Sequence, residues 1–282
     1  MKIKILIDNN APEGSDLISE HGLAMWVECD DGTSFLMDTG ASGAFLENAR
    51  KMGVDVSATD FCVISHGHND HTGGLRSFLE LDFRAKVIIS SDVFTHKFFS
   101  DRGGELKDIS TDHTLLDDYL DRFNCLDTQM GWITPQIAII KCTGTGYPTP
   151  SGNKTLYKRS IESDAEILPD DFSHELAVAV KSDKGLVILS SCSHLGVANI
   201  IDSVTDMTQE GRIAAFIGGL HLTDRSEDSD GDAEALLSYL STRHPDTNVY
   251  TGHCTGDRAK DILSRYPLVH LFRTGTEIML HP

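Results

Sequence analysis

Nowhere does the 282-residue chain approach the ~20 consecutive apolar residues that a membrane helix needs. The opening Met1-Lys2-Ile3-Lys4-Ile5-Leu6-Ile7-Asp8 is too short and too alternating for a signal peptide, and reads as a first strand. Basic residues are scarce: 24 Lys and Arg stand against 43 Asp and Glu, for a formal net charge of -19. A field of that sign repels nucleic-acid backbones and anionic membrane surfaces, so neither is an expected partner. A small anionic substrate remains admissible, because a metal or a local basic patch can reverse the sign within one cleft. The six cysteines form no C-x-x-C pair, and several sit in apolar, strand-like runs; a reduced, cytoplasmic protein is the expectation. Internal repeats and low-complexity tracts are also missing. With 40% apolar and 24% charged residues, the composition excludes a disordered or collagen-like chain and suits a soluble globular protein.

Short β-branched runs alternate with amphipathic stretches along the whole chain. Strands are expected at 2–8, 23–29, 34–38, 61–65, 85–90, 137–140, 176–180, 186–190, 213–217, 248–250 and 268–272. Helices are expected at 43–52, 73–81, 115–122, 197–207, 233–242 and 257–265. Ser182-Asp183-Lys184-Gly185 is a hairpin signal between two of these strands. Two halves suggest themselves within one layered α/β domain spanning 1–282. The stretch 142–171, rich in Gly, Pro, Ser and Thr, reads as an insertion or long loop of the kind that borders active sites.

The informative segment is Phe61-Cys62-Val63-Ile64-Ser65-His66-Gly67-His68-Asn69-Asp70-His71-Thr72-Gly73-Gly74. A buried-looking strand ends, several potential metal ligands follow at once, and a helix then opens. Crowded imidazoles repel one another when protonated, and a metal relieves this by holding them neutral. His66 and His68, two apart on an extended turn, can point the same way, while Asp70 and His71, at a helix start, can face a second point. One loop can therefore serve two metals, which together clamp the attacking and leaving oxygens of a displacement. A polar loop whose histidines merely cap strand and helix ends is a poor account of H-x-H-x-D-H at this place.

This segment resembles the signature of the metallo-β-lactamase superfamily. Asp38-Thr39-Gly40 after an early strand, Ser191-Cys192-Ser193-His194 after a later one, and Tyr250-Thr251-Gly252-His253 near the end are similar to the family's further motifs in the same order. The resemblance implies a four-layer αββα sandwich. Three strings, Cys192-Ser193-His194-Leu195-Gly196-Val197-Ala198-Asn199-Ile200, Gly218-Gly219-Leu220-His221-Leu222 and Gly252-His253-Cys254-Thr255-Gly256, resemble one branch. That branch is named after 7,8-dihydropterin-6-methyl-4-(β-D-ribofuranosyl)aminobenzene-5'-phosphate synthase.

The resemblance also implies roles for individual residues. His66, His68 and His194 hold one metal; Asp70, His71 and His253 hold the other. The family's aspartate that bridges the two metals has no counterpart in Ser191–His194, which leaves the bridging place open between His194 and Cys192, with His174 as a further source of a ligand. Asp70 orients a metal-activated water, and His221, behind a Gly-Gly pair, contacts substrate or donates a proton. Asp38 fits the part of a carboxylate that orients a ligand histidine, and Glu175 is a candidate for the substrate pocket. The histidine set suits two divalent ions, zinc before iron, manganese or magnesium, since His68 stands where iron-binding relatives carry glutamate. The expected activity is metal-dependent hydrolysis of a small phosphorylated substrate; a pterin transferase and a non-catalytic metal or ligand sensor are the alternatives. Asp38-Thr39-Gly40 is also the aspartic-protease tripeptide, but no second copy supplies the partner carboxylate.

Overall fold

The computed structural model describes residues 1–81, 84–143, 146–162 and 165–280. Positions 144–145 and 163–164 of the expected insertion lie outside the described residues, as does His281. Two compact units divide the chain: Met1–Asp127 with Leu156–Asp170 and Phe272–Pro282, and Thr128–Thr155 with Asp171–Leu271.

The first unit holds a seven-stranded sheet in the order Glu277–Met279, Lys2–Ile7, Ala24–Glu28, Ser34–Met37, Phe61–Val63, Lys86–Ser90, Phe123–Leu126. Pairing is antiparallel as far as Ser34–Met37 and parallel beyond it. The parallel strands need crossovers, and Ala44–Lys51 and Leu75–Leu81 supply two of them. Leu36, Cys62, Ile64, Val87 and Ile89 form a fully buried core with Phe45, Phe78 and Leu79 of those helices. Burial of both faces of Phe61–Val63 and of Val87 to Ser90 explains why these sequences run apolar instead of alternating.

The same unit carries a four-stranded antiparallel sheet, Leu168–Pro169, Leu156–Ser160, His96–Asp101, Leu106–Asp108. The stretch expected as a long loop at 142–171 thus contains a 3-10 turn at Ser151–Thr155 and two strands. Those strands hide in the sequence because they are mostly half-buried or exposed and carry Lys158, Arg159 and a proline.

The second unit has its own seven-stranded sheet: Val269–Leu271, Asn248–Thr251, Ile213–Ile217, Gly185–Leu189, Leu176–Ser182, Ile137–Lys141, Met130–Trp132. Its first four strands are parallel and the remainder antiparallel. The expected hairpin is present, with Ser182 opposite Gly185 and Gly185 at φ 118°. Helices Val197–Thr208, Ser229–Arg243 and Asp257–Leu263 complete the unit. Ser229–Arg243 begins four residues before the predicted start, because its first turn is polar and acidic, which suits a helix N-terminus but breaks the apolar period. No helix among the described residues is long and apolar enough to cross a membrane.

Candidate functional site

In the first unit the chemistry gathers at the carboxyl ends of two neighbouring parallel strands. Ser34–Met37 runs into Asp38, and Phe61–Val63 runs into Ser65, His66 and His68. Ligand sites in α/β sheets collect at such strand ends because the turns there are free of pairing duties. The two turns are locked together: Thr39 N–H and its Oγ both donate to the His71 carbonyl at 2.9 Å, and Gly73 N–H donates to the Gly40 carbonyl at 2.9 Å. Gly73 and Gly74 permit this approach; a Cβ would lie 2.1 Å from the Ala41 oxygen at one and 2.3 Å from the Thr39 oxygen at the other. Glu20 braces the turn, accepting from Ala41 and Ser42 N–H at 3.0 Å and from Ser42 Oγ at 2.6 Å.

Asp38, fully buried, orders the histidines. One of its oxygens accepts from Ser65 N–H at 2.7 Å; the other takes Ser65 Oγ at 2.6 Å and His71 Nδ1 at 2.7 Å. A carboxylate only accepts, so the Ser65 hydroxyl proton points to Asp38, and Ser65 Oγ must accept from His66 Nδ1, 2.7 Å away. One carboxylate therefore holds both His66 and His71 with the proton on Nδ1, so that each ring when neutral carries its lone pair on Nε2. Their rings lie 4.2 Å apart, and the His66 and His68 rings 4.6 Å apart. Asp38, His66 and His71 bring potential ligand atoms within 4.8 Å of one another. The Asp38 contacts, however, are spent on the Nδ1 side of this group. Asp70 Oδ2 lies 3.5 Å from His71 Nε2 and 3.4 Å from Nε2 of the exposed His21; Asp170 Oδ2 lies 3.8 Å from His68 Nε2.

In the second unit three turns follow three consecutive parallel strands: 190–196 after Gly185–Leu189, 218–222 after Ile213–Ile217, and 252–256 after Asn248–Thr251. They deliver Cys192 and His194, His221, and His253. Cys254 knits them, its Sγ accepting from His221 N–H at 3.3 Å and donating to the Cys192 carbonyl at 3.6 Å. Thr255 Oγ1 accepts from Leu220 N–H at 3.1 Å and bonds Thr251 Oγ1 at 2.7 Å. Gly218, at φ 146°, is obligatory, since a Cβ there would sit 1.7 Å from the Ser190 oxygen. The His194 and His221 rings are 4.2 Å apart, and Phe172 stacks on His194 at 4.4 Å and 5°.

Glu175, a candidate for the substrate pocket in the sequence, is buried beneath the His194 turn, where its oxygens accept from His194 and Leu195 N–H at 2.7 and 2.8 Å. Burial, with help from the Glu175 charge, raises the Cys142 thiol above its ordinary range, so that cysteine stays protonated and inert. His174 is fully buried, and its ring centroid is 6.0 Å from that of Phe172.

Backbone strain marks both clusters. Among the described residues, left-handed φ at non-glycine positions falls on Asp38 (60°), Phe172 (54°), Ser193 (59°), His221 (49°) and His253 (50°), and elsewhere only on Gln209 (57°), the residue that ends a helix. Such conformations cost about 1–3 kcal/mol each and persist where the surroundings over-determine them. Ser65, Phe172, Cys254 and Asn153 were not singled out by the sequence as members of these clusters. Ser65 directly precedes His66 and was open to notice; the others act through contacts distant in the chain.

The family model for the metallo-beta-lactamase superfamily matches residues 20–135. The chain is 25% identical over 277 residues, 93% of its length and 90% of the relative's, to a 7,8-dihydropterin-6-methyl-4-(beta-D-ribofuranosyl)-aminobenzene-5'-phosphate synthase of Methanocaldococcus jannaschii. The crystal structure of a metal-dependent hydrolase of the beta-lactamase superfamily is similar at TM-score 0.80 and 27% identity, with 100% of both chains covered. The zinc-bound PqqB structure from Methylobacterium extorquens shares the fold at TM-score 0.58 and 10% identity, covering 99% of this chain and 100% of that one.

Proposed function

We propose, from the premise that this chain is a metallo-β-lactamase superfamily protein with that family's fold, that it is a metal-dependent hydrolase acting on a small phosphorylated substrate. The observation that carries the reading is the Asp38–Ser65 relay. It commits the Nδ1 atoms of two adjacent buried imidazoles and so presents two Nε2 lone pairs from one loop. Neutral, pre-oriented imidazoles are what a divalent ion requires, and an orienting carboxylate behind them raises their basicity.

In this reading His66, His68 and His194 hold one cation and Asp70, His71 and His253 the other, with zinc the ion best matched to the donor set. When bound, such a pair supplies Lewis acidity and an activated water. The chain's own part is to fix the tautomers of His66 and His71 through Asp38 and Ser65, to orient the nucleophile with the Asp70 carboxylate, and to hand a proton to the leaving group from His221. The small-molecule substrate is bound without nucleic acid or membrane, in keeping with the net charge of -19.

A second reading, transfer of a pterin to an arylamine nucleophile, is favoured by the 25% identity to the M. jannaschii synthase. It uses the same residues, with a diphosphate as leaving group.

Elemental analysis of the purified chain, combined with a panel of phosphodiesters, diphosphates, thioesters and lactones, tests both. The expected result is zinc in the wild type, loss of about one ion per chain in His66→Ala or His71→Ala together with activity, and turnover confined to phosphorylated substrates. Unchanged metal content in both variants sinks the assignment. Turnover of a pterin diphosphate only with an arylamine present decides for transfer.

A further inference from the structure

We infer that Asn153 is a positioning residue that fixes the tautomer of His194, holding the proton on Nδ1 so that the neutral ring presents its lone pair at Nε2. The argument is one of elimination among donors and acceptors. Asn153 makes two contacts to the same residue, 41 positions away in sequence: its amide lies 2.7 Å from the His194 carbonyl and 3.1 Å from His194 Nδ1. The carbonyl oxygen can only accept, so the Asn153 atom facing it is the NH2 group, and the atom facing the ring is the amide oxygen. An amide oxygen can only accept in turn, so His194 Nδ1 carries the proton. The usual ambiguities of amide flip and histidine tautomer are both removed by one backbone carbonyl.

The rest of the second unit holds Asn153 in place. Its turn is pinned by Ser151, whose N–H donates to Asp232 Oδ2 at 2.7 Å and whose Oγ bonds Ser226 Oγ at 2.6 Å, and by Lys154, paired with Asp228 at 2.6 Å. Upstream, Asn199 accepts from Gly146 and Tyr147 N–H at 3.1 and 2.8 Å and donates to the Tyr147 carbonyl at 2.9 Å. Gly152, the residue before, lies against His221: a Cβ there would meet His221 Nδ1 at 3.1 Å. Phe172 on one ring and Glu175 beneath the backbone complete the hold on His194. The segment expected as an insertion or long loop holds His194 through Asn153 and lies against His221 at Gly152.

The arrangement matches what Asp38 does for His71, with a neutral amide in place of a carboxylate. Its consequence for metal affinity rests on the ligand reading given above; the tautomer itself does not. The test uses the full chain, freed of metal by chelation and labelled with 15N at histidine, and reads the His194 ring by long-range 1H–15N NMR, with His194→Gln identifying the resonances. The wild type is expected to show His194 protonated at Nδ1. Asn153→Leu, which removes both polar contacts, shifts the ring toward the Nε2-protonated form, and Asn153→Asp, which keeps an acceptor, retains the Nδ1-protonated form. An Nε2-protonated wild-type ring overturns the inference, as does an unchanged ring in folded Asn153→Leu; should that variant not fold, loss of the Nδ1-protonated form in Asn153→Asp overturns it.

Chelator competition with zinc supplies the second readout. Affinity falls about 10- to 100-fold in Asn153→Leu and stays within a few-fold in Asn153→Asp. If His194→Gln leaves zinc affinity unchanged, the ligand reading fails, while the NMR result still decides the tautomer.

Discussion

The two units build their histidine clusters by opposite means. In the first, donors crowd into one contiguous run, His66 to His71, and a single buried carboxylate, Asp38, governs two of the rings, one directly and one through Ser65. In the second, the histidines are dispersed from 174 to 253, and the hold on them is spread over several residues. His194 has an amide, a stacked phenyl ring and a carboxylate under its backbone; His221 and His253 sit on strained turns tied together by Cys254 and Thr255. A centralised arrangement concentrates failure in one residue. A distributed one spreads it over several, so single changes should be milder in the second unit unless they strike the backbone itself.

The sharpest way to break this comparison is Asp38→Ala. It strands Ser65 N–H, Ser65 Oγ and His71 Nδ1 in a fully buried setting, with an expected loss on the order of 3 kcal/mol or more and of about 10- to 100-fold in metal affinity. Denaturant melts and chelator competition measure the two losses, and a variant that keeps both properties would show that Asp38 does not govern the cluster. Next comes Gly218→Ala in the second unit. The clash with the Ser190 oxygen and the left-handed φ predict a loss of roughly 2–4 kcal/mol, read as a lower urea midpoint; a neutral outcome would mean that the three turns are not rigidly fixed.

Ser65→Ala is smaller. It cuts the link from Asp38 to His66 while leaving the direct bond to His71, so metal affinity should fall about tenfold, less than in Asp38→Ala. Equal losses in the two variants would collapse the distinction between direct and relayed control. The smallest effect concerns a histidine outside both clusters. Burial lowers His244 below its ordinary value of 6.5, and its Nε2 lies 3.1 Å from the Tyr239 hydroxyl, which donates to Asp202. The unfolded chain takes up a proton at His244 before the folded chain does, so the stability tied to this shift is present above pH 6.5 and is lost as pH falls below it. Urea midpoints between pH 7 and pH 5 should drop less in His244→Gln than in the wild type; identical slopes would assign the acid sensitivity to other groups.

Much of this architecture was legible in the residues. The apolar runs of Phe61–Val63, Lys86–Ser90, Ile213–Ile217 and Asn248–Thr251 and the hairpin at Ser182–Gly185 depend on neighbours in sequence and appear where expected; the parallel strand Phe123–Leu126, half-buried with Asn124 exposed, was not anticipated. The strands Leu156–Ser160 and Leu168–Pro169 were missed because their pairing, with His96–Asp101 and with each other, carries little apolar signal. Asn153 offered even less: nothing around it in sequence distinguishes it from other polar turn residues, and its meaning comes from a partner 41 positions on.

The sequence by itself determined the α/β alternation, the sign of the protein's field and the presence of a dense ligand run, since periodicity, charge and local spacing are properties of the chain before it folds. Only the tertiary structure decided which nitrogen of His71 and of His194 carries the proton, because a tautomer is chosen by the acceptor that packing brings to the ring, here Asp38 and Asn153 from distant parts of the chain.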